Sequence, residues 1–513
     1  MKNRLCFKTI GFFLTIVLAL GFYTSIYASS GDTVTVALNL EPNTLNPMEL
    51  KTEADVILSA AGVFQSLIQW EYKTGNEVLG LAESIDIMPN GKDLKIKLRN
   101  NIRFHDGSRL TATDVQFSFM EAVNPRNANI LAGPLDEVEE IEIIDDLTLI
   151  LRFYEPYAPW KELLTLAIVP KKYYQKVGRE GFRKHPIGTG PLRFISHSPG
   201  TVVLEAVKDH PDVTVDFKTL KLITVPDSVT RISMLETGEI DLAYEVPPHQ
   251  VKRLNALSQV KVKLNDKVPS FFGLATKPAL FPVLKDRKLK RAMNLGINRN
   301  EIIKRIFFDL GYPMYMYASK TELGYDPAFE FEYNLEEARR LVKASSYKPG
   351  TPLTLTYTNL VPNAAVVATI LQAYMKRIGI TIKLQQLEAG VQSTYSRNRD
   401  IREGHMTLYS WPGGKDPLMR LMLTIPSTSP YCSYSTREKQ KELDQLVKAQ
   451  QHEMDPEKRL ALLGQLHQYL NDEPSTISLF GLQQVYAMSS RIDYSWSDSI
   501  PYLIWLPNIK IKK

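Results

Sequence analysis

The chain has 513 residues, of which 44% are hydrophobic and 23% charged. A chain of this length exceeds what a single hydrophobic core usually organises, so two or three domains are expected. The net charge of +6 is spread without a dense basic tract, which argues against a nucleic-acid-binding protein.

The first 28 residues are typical of a secretory signal peptide. Three cations precede an apolar run over residues 10–23, and the small residues that follow offer a cleavage site after Ala28 or Ser30. The apolar run, about 14 residues long, is shorter than the ~20 residues that a membrane span needs. The alternative is an uncleaved N-terminal anchor. With cleavage, the net charge of the mature chain would be +3.

The two cysteines bear on the export route and on disulfides. Cys6 precedes the apolar run instead of closing it, so the sequence has no lipobox, and we predict a periplasmic location without a lipid anchor. Cys432 would be alone in the mature chain, which excludes an intramolecular disulfide.

Strand-like and helix-like segments alternate along the rest of the chain. Period-two patterns predict strands at residues 33–38, 95–98, 147–153 and 202–206. Capping signals predict helices that begin at Thr111, Asn298, Asn334 and Asp455. This alternation predicts a mixed α/β fold.

The sequence contains no recognised catalytic or metal-binding signature. Its eight histidines show no His-Glu-x-x-His spacing, and neither a Cys-x-x-Cys nor a Gly-x-Ser-x-Gly motif occurs. His452 and His467, fifteen residues apart, are interpreted as solvated side chains. We therefore predict a binding protein that is not an enzyme and that has no cofactor and no metal site.

The segment over residues 81–119 carries a distinctive set of motifs. It contains the turn Asn90-Gly91, the run Ile102-Arg-Phe-His-Asp-Gly107 and the helix start Leu110-Thr-Ala-Thr-Asp-Val115. This set closely resembles the signature of the family 5 extracellular solute-binding proteins, the oligopeptide, dipeptide and nickel receptors of ABC importers. Further matches follow in the family's order at residues 44–47, 186–191, 235–241 and 291–299.

The resemblance implies a two-lobed periplasmic-binding-protein fold of the cluster C type, with an extra subdomain in lobe I and a hinge between the lobes. Lobe I would combine residues 31–63, 190–269 and 484–513, with residues 64–189 as its extra subdomain. Lobe II would span residues 270–483. The chain would cross between the lobes near residues 270–274 and 482–487.

The resemblance also implies where ligand binds. In peptide-binding relatives, a segment with a tryptophan and a later Asp-Pro lines the cleft and pairs with the peptide backbone, and an aspartate three residues after the tryptophan holds the α-ammonium. Here Trp411 and Asp416 are present, but the position three after Trp411 is Gly414. Either Asp416 or another carboxylate such as Glu41 takes the ammonium, or the receptor needs no free α-amine.

The residues predicted to bind ligand are Glu41, Phe271, Phe272, Tyr409, Trp411, Gly413, Gly414, Asp416, Tyr431 and Tyr434. Arg420 is interpreted as a surface arginine.

These observations predict a monomeric periplasmic receptor that captures a peptide or peptide-like ligand between its lobes and delivers it to the permease of an ABC importer. Within the same fold, the alternatives are a cell-wall fragment, an oligosaccharide, a nickel chelate or haem as ligand. In other functional classes, they are a sensory or chaperone binding protein and an exported hydrolase.

Overall fold

The computed structural model describes residues 32–51, 55, 61–71, 76–127, 129, 132–278, 280–359, 361–388, 391–392, 404–411, 416–429, 440–473, 476–494 and 505–512. The predicted signal peptide, Cys432 and four of the predicted ligand-binding residues lie outside these ranges. The four are Gly413, Gly414, Tyr431 and Tyr434.

The strands are β1 (Thr33–Leu38), β2 (Ile68–Trp70), β3 (Glu77–Leu79), β4 (Ala82–Ile87), β5 (Leu94–Leu98), β6 (Val138–Asp145), β7 (Thr148–Phe153), β8 (Leu192–Ser198), β9 (Thr201–Ala206), β10 (Thr219–Thr224), β11 (Leu242–Ala243), β12 (Val260–Thr276), β13 (Gly311–Pro313), β14 (Leu353–Tyr357), β15 (Ile382–Gln386), β16 (Met406–Trp411), β17 (Thr476–Ser489), β18 (Ile492–Asp493) and β19 (Lys510–Ile511).

The helices are α1 (Ala112–Ala122), α2 (Trp160–Leu163), α3 (Lys171–Lys184), α4 (Ser228–Thr237), α5 (Val251–Leu254), α6 (Arg287–Leu295), α7 (Arg299–Phe307), α8 (Leu335–Lys343), α9 (Ala364–Arg377), α10 (Leu418–Thr424), α11 (Gln440–His452) and α12 (Pro456–Asp472). Short 3₁₀ turns include Pro47–Glu49, Gly133–Glu137, Pro248–Gln250, Pro282–Lys285, Pro327–Phe329 and Leu506–Asn508.

The local signals read from the sequence are confirmed. The four predicted strands are present as β1, β5, β7 and β9. The side chains of Asn298 and Asn334 accept hydrogen bonds from amides three residues later, at 3.0 and 2.9 Å, and Asp455 caps α12 in the same way. At Thr111, the backbone amide and the hydroxyl both donate to the Asp114 carboxylate, at 2.9 and 2.8 Å. The predicted turn at Gly91 has a positive φ of 68°, which glycine adopts readily.

One sheet runs through the molecule in the order β15-β14-β16-β12-β17-β11-β1-β10-β9-β8. Its middle is formed by the long strands β12 and β17, which pair antiparallel from Val260 opposite Ser489 to Ala275 opposite Thr476. The register of this pair shifts between Asn265 and Ser270 and again after Phe272. The first shift ends where the chain is predicted to cross between the lobes. Both halves of the molecule thus share this ladder.

The two largest hydrophobic cores of the described residues lie toward the two ends of this ladder. The first contains Val34, Leu204 and Leu220 and continues into a second sheet of order β4-β5-β7-β6. Another surrounds Leu274, Leu355 and Met375 in the second half of the chain. Two cores joined by a pair of long strands match the predicted two-lobed α/β fold. Among the helices of the described ranges, none has the length and apolar character that a membrane span requires.

Candidate ligand-binding site

Three of the predicted ligand-binding residues lie together on neighbouring strands. β16 pairs antiparallel with β12, which sets Trp411 opposite Phe271 and Tyr409 opposite Gly273. Directly opposed residues, and residues two apart, share a face of a sheet. The rings of Phe271 and Tyr409 accordingly contact each other, with centroids 5.9 Å apart. We call Phe271, Tyr409 and Trp411 the aromatic wall.

Glycine at position 273 makes room for this wall. A Cβ atom at Gly273 would come within 2.9 Å of the Tyr409 hydroxyl and 2.8 Å of the Phe271 ring. The Tyr409 hydroxyl donates to Thr476 on β17 at 3.5 Å, and burial raises the pKa of Tyr409 well above its usual value. Tyr409 is therefore a neutral, firmly packed component of the wall. Gly273 was not among the residues predicted from the sequence, because its role depends on which strand lies opposite β12.

Phe272 faces the other side of the sheet. Its ring stacks on Phe480 with centroids 5.0 Å apart and packs near Phe307. Phe272 is fully buried in the core of the second half of the chain. The structure thus separates Phe272 from the aromatic wall, and its contact with ligand stays a prediction.

The second edge of β16 is only partly paired. β14 pairs with Met406 and Thr407, whereas β12 covers the whole first edge from Met406 to Trp411. Within the described ranges, residues 408–411 have no strand partner on the β14 side. Unpaired backbone amides and carbonyls at a strand edge can accept a further extended chain.

Asp416 is already engaged by protein groups. Arg459 approaches its two carboxylate oxygens at 2.7 and 3.0 Å, and the amide of Leu418 donates to it at 2.9 Å. Arg459 also donates to the Gln450 carbonyl oxygen at 3.1 Å. A cationic ligand group would have to compete with a fixed, largely buried guanidinium for this carboxylate.

Glu41 follows β1 in the first half of the chain, and its side chain lies against the turn between β8 and β9. Its carboxylate accepts a hydrogen bond from the Gly200 amide at 2.9 Å and lies 3.7 Å from the His197 ring nitrogen. The side chain is half-exposed, and it borders a small recess with Pro42 and Thr201. Its role as a ligand anchor stays a prediction.

The interpretation of Arg420 as a surface residue is wrong. Arg420 is 2% exposed and pairs with Glu322 at 2.7 Å. Its guanidinium lies 5.1 Å from the Phe271 ring centroid and 4.5 Å from that of Tyr317. Arg420 therefore packs against Phe271, one of the three side chains of the aromatic wall. The signal that was overlooked is its setting in the apolar run at residues 418–423.

The interpretation of His452 and His467 as solvated is also wrong. His467 is fully buried, and burial lowers its pKa to about 3, with a further contribution from the nearby Arg420. The side chain of His452 is 13% exposed and contacts Glu155 and Glu137. Across the ranges that the structure describes, no group of three or more His, Cys, Asp or Glu side chains is placed to hold a metal ion.

Comparisons with known proteins agree with this architecture. The glutathione-binding protein GsiB of Pectobacterium atrosepticum is 26% identical over 340 residues, a match that spans 64% of this chain and 64% of that relative. The di/tripeptide-binding protein 2 of Pseudomonas aeruginosa is 26% identical over 417 residues, or 74% of this chain and 76% of the relative. The first match thus spans just under two thirds of the length of that GsiB, whereas the match to the GsiB of Escherichia coli O6:K15:H31, at 24% identity, spans 77% of that relative.

A solved structure of the same shape is the periplasmic binding protein DppA of Helicobacter pylori in complex with the peptide STSA. It matches with a TM-score of 0.81 at 21% identity, covering 94% of this chain and 98% of DppA. At this identity the likeness shows the two-lobed fold alone. The sequence profile described as bacterial extracellular solute-binding proteins, family 5 Middle, matches residues 77–431. With more than half of its length matched, the chain belongs to this family of extracellular solute-binding proteins.

Proposed function

We propose that this protein is a periplasmic receptor that binds a short peptide or peptide-like ligand at β16 and delivers it to the permease of an ABC importer. The observation that carries the proposal is the edge of β16 at residues 409–411: within the described ranges these residues have no strand partner on the β14 side, and each of them is partly exposed. An extended peptide can add to such an edge through backbone hydrogen bonds, while its side chains contact the partly exposed rings of Tyr409 and Trp411. The Phe271 ring, 1% exposed, supports these two rings from inside the protein. Relatives named for glutathione and for di- and tripeptides support this class of ligand.

The ion pair and hydrogen bond of Asp416 bear on which amino termini the proposed peptide ligand can have. Its carboxylate is paired with Arg459 and also accepts the Leu418 amide, so releasing it for a ligand ammonium would leave a largely buried guanidinium without its partner. We therefore propose that Asp416 does not select for a free α-ammonium group. Peptides with a blocked or modified amino terminus are then accepted as well as free ones.

The first test is native mass spectrometry of the mature protein purified from a periplasm. We expect a monomer that carries a bound ligand, and release of that ligand identifies it. A peptide or peptide derivative, chemically unchanged after repeated incubation, supports a receptor without catalytic activity. A metal chelate, a haem or an oligosaccharide as the natural ligand would refute the peptide assignment.

The second test is calorimetric titration with three probes: the dipeptide Met-Leu, N-acetyl-Met-Leu and glutathione. Comparable affinity for the first two is the expected result, because N-acetylation replaces the ammonium by a neutral amide and Asp416 is proposed not to recognise the positive charge. If acetylation weakens binding by about a hundredfold or more, which corresponds to about 2.7 kcal/mol and thus to the loss of one or two charge-assisted hydrogen bonds, another carboxylate holds the ammonium.

A further inference from the structure

Two segments that are distant in sequence meet beside the candidate site. One is the loop that follows β7, at residues 154–158, and the other is the C-terminal end of α11. The amide of Ala158 donates to the carbonyl oxygen of Gln451 at 2.7 Å. The first segment belongs to the predicted extra subdomain of lobe I and the second to predicted lobe II, so with these predicted boundaries the hydrogen bond would link the two lobes.

Charged side chains surround this hydrogen bond. Nδ1 of His452 lies 2.9 Å from one Glu155 oxygen, and the ammonium of Lys448 lies 3.3 Å from the other. Nε2 of His452 lies 3.5 Å from Glu137, which also belongs to the predicted extra subdomain. Two basic side chains of α11 thus face two carboxylates from the opposite lobe.

An apolar contact accompanies the polar one. Leu418 of α10, with Met422 packed beside it, joins the hydrophobic core that contains Tyr157 and Phe153. α10 begins at Leu418, directly after Asp416 and Pro417 and only a few residues after the aromatic wall. One short helix, α10, therefore connects the contact between the predicted lobes to the candidate ligand site.

We propose that these contacts form a closure latch, defined as Glu137, Glu155, Ala158, Lys448, Gln451 and His452, which holds the lobes together and sets the affinity for ligand. The proposal rests on the proposed function, because a closure contact affects affinity only if ligand binds between the lobes. A ligand that binds the closed form stabilises it over the open form, and every contact made only in the closed form adds to that preference.

The latch has a buried side and an exposed side: Gln451 is 5% exposed and the His452 side chain 13%. Glu155 and Lys448 are 53% and 65% exposed at the side chain, so water can replace their partners when the lobes separate. Interfaces between domains that move relative to each other are more polar than domain cores. Leu418 and Met422 apart, the two largest apolar clusters each draw their residues from one predicted half.

The test uses His452→Phe, which keeps a ring but removes both nitrogens, and Glu155→Gln, which removes the charge from a side chain of the same shape. Lys97→Met is the matched control, because Lys97 pairs with Glu83 at 2.8 Å on adjacent strands of one sheet and with similar exposure. Hydrogen exchange at the Ala158 amide and small-angle X-ray scattering of the ligand-free protein report on the latch without any ligand.

We expect each latch variant to exchange the Ala158 amide about two- to fivefold faster than the parent, and the scattering to shift toward a more open form, as loss of a partly exposed ion pair predicts. The Lys97→Met control should match the parent. Glutathione or Met-Leu, whichever binds in the calorimetric test, should bind the latch variants about two- to fivefold more weakly.

Unchanged exchange at Ala158 together with unchanged scattering in both variants would overturn the latch. Reduced thermal stability with unchanged affinity and exchange would also overturn it, because that pattern belongs to a permanent contact. Failure of every peptide probe to bind the parent contradicts the proposed function alone, since the exchange and scattering measurements do not depend on ligand.

Discussion

Arg459 contacts both carboxylate oxygens of Asp416, at 2.7 and 3.0 Å, and thereby ties the start of α10 to the first turns of α12. Because the Leu418 amide also donates to Asp416, the carboxylate acts as a structural cap for α10. Asp416 is the first acidic residue after the aromatic wall along the chain, and Arg459 balances its negative charge.

Replacement of Asp416 by asparagine should destabilise the protein without changing its preference between free and acetylated peptides. The largely buried Arg459 would lose its partner, which we expect to lower the free energy of unfolding by about 2–4 kcal/mol. Urea denaturation measures the loss, and titration with Met-Leu and N-acetyl-Met-Leu measures the preference. Glu83→Gln, in an exposed pair, should change the free energy of unfolding by less than about 0.5 kcal/mol. A selective loss of affinity for the free dipeptide would assign ammonium recognition to Asp416.

Replacement of only one member of the buried pair of Arg420 and Glu322 should destabilise the protein strongly. Arg420→Met leaves Glu322 buried without its cation, and burial already raises the pKa of this carboxyl group. We expect a loss of about 3–5 kcal/mol in the free energy of unfolding. The double variant Arg420→Met with Glu322→Leu should recover part of that loss, because two apolar side chains need no partner, although the buried Ser319 amide then loses the Glu322 carboxylate as its acceptor. Equal destabilisation by the single and double variants would contradict this account.

His467 should make the protein less stable in mild acid. Burial lowers its pKa from 6.5 to about 3, so between these values the unfolded chain binds a proton that the folded protein does not. Above pH 6.5 this titration does not affect the free energy of unfolding. Below pH 6.5 it lowers the free energy of unfolding by about 1.4 kcal/mol per pH unit. Denaturation between pH 7 and pH 4 should show a shallower pH dependence for His467→Leu than for the parent. An identical pH dependence in the two proteins would mean that His467 titrates normally.

Removal of the Trp411 ring should weaken ligand binding. A large aromatic side chain at the centre of a binding surface contributes strongly when it is desolvated, so we expect Trp411→Ala to bind the tightest peptide probe at least about tenfold more weakly. Tyr333→Ala is the control, because the exposed Tyr333 ring packs against Tyr374 and belongs to no part of the aromatic wall. If Trp411→Ala binds as tightly as the parent, the aromatic wall does not contact ligand.

The features that could be predicted from the sequence are those whose partners are close along the chain. A cap such as Asn334 acts on an amide three residues away, and the turn at Gly91 joins adjacent strands. The burial of Arg420 depends instead on Glu322, 98 residues earlier. The free edge of β16 likewise depends on how far β14 extends along it. Such features follow from sheet order and packing, which short-range patterns do not specify.

The continuous pairing of β12 with β17 has a consequence for the engineering of this scaffold. Each of these strands contributes backbone to both halves of the molecule, so a graft that exchanges residues 270–483 for those of another receptor cuts two hydrogen-bonded strands in their interior. A splice shifted by one residue would turn every side chain on the grafted side of β17 to the opposite face of the sheet. Chimeras should therefore preserve whole strands and place their junctions in surface loops. Changes of specificity are better introduced by substitutions on β16 and α10 than by the exchange of a lobe.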